Sequence, residues 1–320
     1  MTENNERTIA LCGVWHVHAE FYCREAMKRC RILGVWEEDA ERRADFCTRT
    51  GLPAFESFED LLASGADGAI VCCATRDHAA VIPRLAAAGM DVFTEKVLAI
   101  TDQDAEKIRS AVLKCGNRFM ISLPHKCSGT VRAAYTAALS GRLGKLNYFR
   151  FRNVHSGSSR NWLPAHFYDR DECGGGAMID LGAHGMYLAD WFLGVPEEAR
   201  SVFTRACANP ETALKNTDGV EDNAITLLRY ASGAIAVNET GFVSIGEQVL
   251  EVGGEEGRIR IDGSGATLYA DGADGPETLP PEPNLPSPIV QFCTGGILPG
   301  FGIDEAVRLT RLMTMAYADN

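Results

Sequence analysis

The chain has no run approaching the ~18 consecutive apolar residues of a membrane-spanning helix. Its opening, Met1 to Arg7, is polar and lacks the apolar core of a secretory signal. Positive charge is in deficit: 31 Lys and Arg stand against 43 Asp and Glu, a formal net charge of −12. A balance of that sign argues against nucleic acid or an anionic membrane as a partner. The 11 cysteines are scattered and form no Cys-x-x-Cys pair, so neither a thiolate zinc clip nor a disulfide framework is indicated. Adjacent Cys72 and Cys73 fall inside an apolar run, which suits buried thiols on a strand. Internal repeats and low-complexity tracts are also missing. These absences lead us to expect a cytoplasmic protein with reduced thiols.

What is present is ordinary globular material: 320 residues, 46% hydrophobic and 23% charged. That length suggests two domains. Through residue 123 the sequence alternates strand and helix patterns. Strands are read at Thr8–Cys12, Arg31–Trp36, Gly68–Ala74, Asp91–Thr94 and Arg118–Ser122, with helices at His18–Cys30, Ala40–Thr50, His78–Ala88 and Thr101–Cys115 between them. Ser57 with Asp60 is an N-cap pattern opening a further short helix. Gly68 to Ala74 is continuously apolar, as in a parallel strand buried on both faces. Repeated β-α units of this kind predict a doubly wound parallel sheet, with ligands at the carboxyl ends of its strands.

A dinucleotide on such a sheet places its pyrophosphate at the first β-α turn, in a Gly-x-Gly-x-x-Gly loop. Here the turn reads Gly13-Val14-Trp15-His16-Val17-His18 and keeps only the first glycine. Glu37 closes the second strand 24 residues after Gly13, where a carboxylate hydrogen-bonds the adenosine ribose diol and repels a 2′-phosphate. NAD(H) is therefore expected over NADP(H). The competing reading makes Glu37-Glu38-Asp39 a solvated acidic turn.

Further along, Gly174-Gly175-Gly176 leads into Asp180 and His184, four residues apart and so on one face of a helix. Such a pair, with a lysine brought from elsewhere, is suited to moving protons. Equally, Asp180 reads as a helix N-terminal carboxylate and His184 as an interior histidine. Before this run, His155, Arg160, Asn161, Trp162, His166, Tyr168 and Arg170 make a polar-aromatic stretch. Its composition suits a hydroxyl-rich ligand, with Arg160, Trp162 and His166 as contacts. His155 and His166 lack the i, i+4 spacing and acidic neighbours of a metal site, so no metal is expected. The second half also carries a strand at Asn147–Asn153, hairpins at 224–238 and 248–261, and a strand at Ala266–Ala270. A proline-rich loop follows over Gly275–Pro288, and an amphipathic helix over Ile303–Ala318.

Taken in order, these pieces resemble the glucose–fructose oxidoreductase / inositol dehydrogenase (Gfo/Idh/MocA) family over nearly the whole chain. Ala74-Thr75-Arg76-Asp77-His78 stands where that family has Ala-Thr-Pro-Asn-His, and Glu95-Lys96-Val97-Leu98-Ala99 where it has Glu-Lys-Pro-Leu-Ala. Gly141-Arg142-Leu143-Gly144-Lys145 matches its link into the second domain, and Gly174 to Gly194 its Gly-Gly-Ala-x-x-Asp-x-Gly-x-His segment. Val220-Glu221-Asp222-Asn223-Ala224 and Gly253-Gly254-Glu255-Glu256-Gly257 match later strands and turns. Trp15 and His18 in place of glycines, and Arg76 and Val97 in place of prolines, depart from the pattern.

The resemblance implies an NAD-binding Rossmann domain over 1–123 and an α+β domain over 124–320. The second domain would carry an open, mostly antiparallel sheet that binds substrate and joins a homodimer or homotetramer. Lys96, Asp180 and His184 would be catalytic and touch substrate. Gly13, Trp15, His16, Val17, Glu37, Thr75, Asp77, His78, Glu95 and Lys96 would line the cofactor. The implied reaction is hydride transfer between nicotinamide and a secondary alcohol of a sugar, inositol or related polyol. A histidine would take the hydroxyl proton and an ammonium would stabilise the developing alkoxide. Two alternatives stay open: an NAD-containing glycoside hydrolase acting by transient oxidation and elimination, and a non-catalytic sugar- or nucleotide-sensing protein.

Overall fold

A computed structural model describes residues 6–296 and 298–318; Met1–Asn5, part of the polar opening noted above, lie outside the described residues. The chain packs as two compact units. One comprises the chain up to Ser122 together with Pro286–Thr310, the other Leu123–Leu285 with Arg311 onward. The segment Pro286–Thr310, which the sequence reading gave to the second domain, thus packs with the first. Its short helix Pro288–Thr294 buries Ile289 and Phe292, and Phe292 meets Phe93 with ring centroids 5.7 Å apart.

The first unit holds five parallel strands, β1 (Thr8–Cys12), β2 (Arg31–Trp36), β3 (Gly68–Val71), β4 (Asp91–Thr94) and β5 (Phe119–Ile121), in the order β2-β1-β3-β4-β5. A single parallel bridge, Val35 to Ala54, lies beyond β2, so the third Rossmann strand is reduced to one residue pair. Helices α1 (Ala19–Met27), α2 (Ala40–Thr50), α3 (Phe58–Leu62), α4 (His78–Ala87) and α5 (Asp102–Cys115) make the crossovers. Their starts are written in the sequence. Asp39 accepts from the Arg42 amide, Thr101 from the Asp104 amide, and Ser57 and Asp60 form a reciprocal capping box. Such caps satisfy helix donors that otherwise lack partners.

The register aligns four strand ends. Cys12 pairs with Trp36 and Val71, and Val71 with Thr94. The next residues, Gly13, Glu37, Cys72 and Glu95, therefore gather at the carboxyl edge, where the strand order reverses. β3 is shorter than read, ending at Val71, because Cys72 leaves the ladder to bond the Cys12 carbonyl and accept from the His16 amide.

The second unit is an eight-stranded sheet under helices. Its strands are β6 (Leu146–Val154), β7 (Glu198–Thr204), β8 (Asn223–Arg229), β9 (Ile235–Gly241), β10 (Val249–Gly254), β11 (Gly257–Asp262), β12 (Gly265–Ala270) and β13 (Glu277–Leu279). They run in the order β13-β12-β11-β10-β6-β9-β8-β7, antiparallel except for β6 beside β9. Helices α6 (Gly129–Leu139), α7 (Arg170–Cys173) and α8 (Ala183–Leu193) belong to this unit. Phe149, Phe151, Leu228, Ala236, Val252, Ile259 and Leu268 alternate inward and are buried, the pattern of a sheet packed on one face. β7 was not read from the sequence, and β13 lies within the stretch Gly275–Pro288 read as a loop.

Candidate active site

In the first unit the β1–α1 turn is held tightly. Gly13 has φ +85°, and a Cβ there would lie 2.3 Å from the Cys73 amide nitrogen, so only glycine fits. The Gly13 amide donates to the Trp36 carbonyl at 2.7 Å and the His16 amide to the Cys72 carbonyl at 3.0 Å. Glu37 is buried, and its carboxylate accepts from the Val14 amide at 2.8 Å and the Asp39 amide at 3.2 Å. Arg42 lies 3.6 Å from the same carboxylate. Glu37 is therefore not a solvated acidic turn: it is a fixed acceptor at the end of β2, as a ribose diol requires. Trp15 and His16 are buried, and Val17 and His18 are exposed.

Around the strand that follows, Thr75 and Asp77 sit in a 3-10 turn, Asp77 beside Arg76 at 3.3 Å. His78 opens α4 fully buried, with Nδ1 3.0 Å from the Leu98 carbonyl. His78 thus ties the turn to the segment after β4. Glu95 and Lys96 at the end of β4 are buried. The Lys96 amide donates to Glu95 Oε2 at 2.9 Å, and the Lys96–Val97 peptide is cis. Tyr22 donates to Glu95 Oε1 and His18 Nδ1 lies 2.7 Å from it. Burial would push the Glu95 carboxyl up, but His16, His18 and Lys96 hold it well below the usual range.

In the second unit the glycine run is a packing device. Gly174 ends α7 in a left-handed conformation. Cβ atoms at Gly175 and Gly176 would come within 2.1 Å of Tyr317 Oη and 2.0 Å of the Glu221 carbonyl. Glu221 accepts from the Gly176 and Met178 amides at 3.0 and 2.9 Å and from Tyr317 at 2.6 Å. The run is therefore close-packed and not a flexible stretch, since no side chain fits between these segments. A plain α-helical start is corrected too: Met178–Gly182, which includes Asp180, is a π-helical turn leading into α8, a local widening found most often at functional sites. Asn238 Nδ2 pins it at the Gly182 carbonyl, 2.7 Å away.

His184 is buried on α8, its Nδ1 3.2 Å from Tyr187 Oη, which also accepts from the His125 amide at 3.2 Å. The His125 ring meets His184 edge-on at 4.8 Å. The Tyr187 hydroxyl therefore links the His125 backbone to the His184 ring, and the donor in its bond to His184 Nδ1 follows the tautomer of the imidazole. Tyr187 and His125 were missed in the sequence, although Tyr187 follows His184 by three residues on the same helix, a spacing that brings side chains together. Asp180 acts electrostatically on His155. The His155 ring stacks on Phe242 with centroids 5.0 Å apart and lies 4.7 Å from Trp162. Of the residues expected to contact substrate, Arg160 and Trp162 are exposed and His166 is half-buried.

The first unit has a Rossmann sheet with a fixed carboxylate at the end of β2, the layout of a dinucleotide-binding domain, and the second holds buried His184 beside half-buried His125. The chain belongs to the GFO/IDH/MocA family. Residues 7–123 match the oxidoreductase family's NAD-binding Rossmann fold and residues 131–260 its C-terminal domain. It is similar to myo-inositol 2-dehydrogenase of Thermotoga maritima, 26% identical over 61% of this chain and 56% of that protein. Inositol 2-dehydrogenase of Rhizobium meliloti is 26% identical over 68% of this chain and 62% of that one. The match thus spans less than two thirds of the length of these curated relatives. The WlbA dehydrogenase of Bordetella pertussis, solved with NADH and UDP-GlcNAcA, shares the fold at TM-score 0.76 and 20% identity, covering 98% of this chain and 96% of that one.

Proposed function

We propose that the protein is an NAD(H)-dependent oxidoreductase acting on a secondary alcohol of a sugar, inositol or related polyol. The observation that carries the reading is Glu37, buried at the end of β2 with its carboxylate fixed by the Val14 amide. A carboxylate so placed accepts from a ribose diol and repels a 2′-phosphate, which favours NAD(H) over NADP(H). The bound nicotinamide supplies the hydride acceptor or donor. Lys96 offers an ammonium for the alkoxide, and His184, oriented by Tyr187, exchanges the hydroxyl proton. Asp180 assists that proton transfer, and Arg160, Trp162 and His166 offer polar and aromatic contacts for hydroxyl groups. Gly13, Trp15, His16, Val17, Thr75, Asp77, His78 and Glu95 complete the cofactor surroundings. The relatives' inositol dehydrogenase names support this substrate class. We further propose a homodimer joined through the open face of the eight-stranded sheet.

Titration of the full chain with NAD(H) and NADP(H) tests the reading. Reversible NAD(H) binding, weakened at least tenfold by Glu37→Ala, is expected, followed by polyol-dependent NADH formation. Absence of binding by either nucleotide overturns it.

A further inference from the structure

His16 and Glu95, which that reading places around the cofactor, also form a cluster with His18 in the first unit. His16 and His18 come from the β1–α1 turn and Glu95 from the end of β4. One donor atom of each lies within 4.8 Å of the other two. Glu95 Oε1 is 2.7 Å from His18 Nδ1 and 3.7 Å from His16 Nδ1. We propose that His16, His18 and Glu95 bind a divalent transition-metal ion of the zinc type, leaving a coordination position for water or a ligand.

The donor set selects the ion. Two imidazoles and one carboxylate suit borderline ions such as Zn²⁺, Co²⁺ or Fe²⁺, whereas Mg²⁺ and Ca²⁺ take oxygen ligands. The three donor atoms, within 4.8 Å of one another, must draw together around such an ion. Around a tetrahedral centre with bonds of ~2.0–2.1 Å, donor atoms lie about 3.3 Å apart. The His16 separation of 3.7 Å already approaches this. The His18 contact must open by a few tenths of an ångström, and its side chain, 50% exposed, has room to swing. His16 Nδ1 accepts from the His18 amide at 3.2 Å, so the ion takes that one lone pair by displacing the amide contact.

The carboxylate is oriented as metal-binding carboxylates are, by an outer layer of hydrogen bonds. Oε2 is fixed by the Lys96 amide at 2.9 Å. Tyr22 donates to Oε1 and is itself 2.9 Å from Ser122 Oγ. Glu95 is only 2% exposed, and a buried carboxylate requires positive charge nearby. A divalent ion supplies that charge with both imidazoles neutral. His18 at the surface leaves a route of entry. In the sequence, His16-x-His18 carried no signal because its third ligand is 77 residues from His18; the register β1–β3–β4 brings it to the same edge.

The test is Zn²⁺ binding by the full chain after chelator dialysis, measured by calorimetry and metal analysis. Co²⁺ absorption serves as a reporter of a low-symmetry nitrogen–oxygen site. One ion per chain is expected, with affinity falling at least tenfold in each of His16→Ala, His18→Ala and Glu95→Gln. Glu95→Gln keeps the side-chain shape, and circular dichroism checks that each variant is folded. Unchanged affinity in folded His18→Ala or Glu95→Gln, which would place zinc on cysteines elsewhere, overturns the proposal, as does the absence of stoichiometric binding. Metal content is read independently of dinucleotide binding, so either proposal can fail while the other holds.

Discussion

The residues around His184 and His155 carry the sharpest consequences. Tyr187 touches no reacting atom in our reading; it is a positioning residue, hydrogen-bonded to His184 Nδ1. Tyr187→Phe removes the hydrogen bonds with His184 Nδ1 and from the His125 amide, each typically worth about 0.5–1.5 kcal/mol. We expect kcat to fall roughly two- to tenfold with KM little changed; a change confined to KM assigns Tyr187 to substrate contact instead. His155 gives the pH dependence. Burial lowers its pKa, and the Asp180 carboxylate opposes this in part. The unfolded chain titrates this histidine near ~6.5, above the folded value. Between the two values the unfolded state binds more protons, so stability is full above the unfolded pKa and is lost as pH falls through the folded one. Urea denaturation from pH 8 to 5 should show that loss, and His155→Gln should flatten it. Asp180→Asn should move the His155 imidazole titration, followed by NMR, to lower pH still; an upward move refutes the coupling. Much of this scale was legible in sequence: Glu37 by its count from Gly13, His184 and Asp180 by their motif. His125 and the His16–Glu95 grouping were not, because each depends on a neighbour supplied by the fold, whereas Tyr187, three residues after His184, was within reach of helical spacing.

At the scale of the element, a glycine run has two physical readings, freedom or closeness, and sequence does not separate them. Gly175 and Gly176 are close-packed because Tyr317 and Glu221 approach from segments distant in sequence. A Cβ at Gly176 meets backbone, which cannot swing aside. Overpacking of this kind destabilises by about 1–3 kcal/mol. Gly176→Ala should therefore lower the urea midpoint, while Gly263→Ala, where a Cβ meets nothing within 4 Å, should leave it unchanged. Equal midpoints for the two variants would refute the packing argument. The same limit explains the π-helical turn at Met178–Gly182: side-chain periodicity signals a helix but not how wide one turn is. Strands in the first unit were readable because both faces are buried and the runs are apolar. β7 is Glu-Ala-Arg-Ser-Val-Phe-Thr, charged at one end, and β13 is three residues within a proline-rich stretch. Their strand character comes from pairing with β8 and β12.

For the whole molecule, the sheet of the second unit has an unresolved asymmetry that association would remove. One face is filled by Phe149, Phe151 and their neighbours. The other presents Val202, Ile225, Leu227 and Ile235, all 48–68% exposed. These are not scattered: Val202 lies opposite Ile225, and Leu227 opposite Val237, in the β7-β8-β9 register. Beside them Arg150 and Glu239 pair across strands in a two-point ion pair at 2.5 and 3.1 Å. Contiguous apolar surface with a polar margin is what an interface between subunits offers. A two-fold arrangement sets each residue of this face against the same patch on a second copy, so one substitution acts twice. We expect light scattering on the eluting protein to give a dimer, and Leu227→Glu, which places two carboxylates in the interface, to give a monomer with the sheet's circular dichroism retained. A wild-type monomer, or a Leu227→Glu dimer of unchanged affinity, would move the interface away from this face.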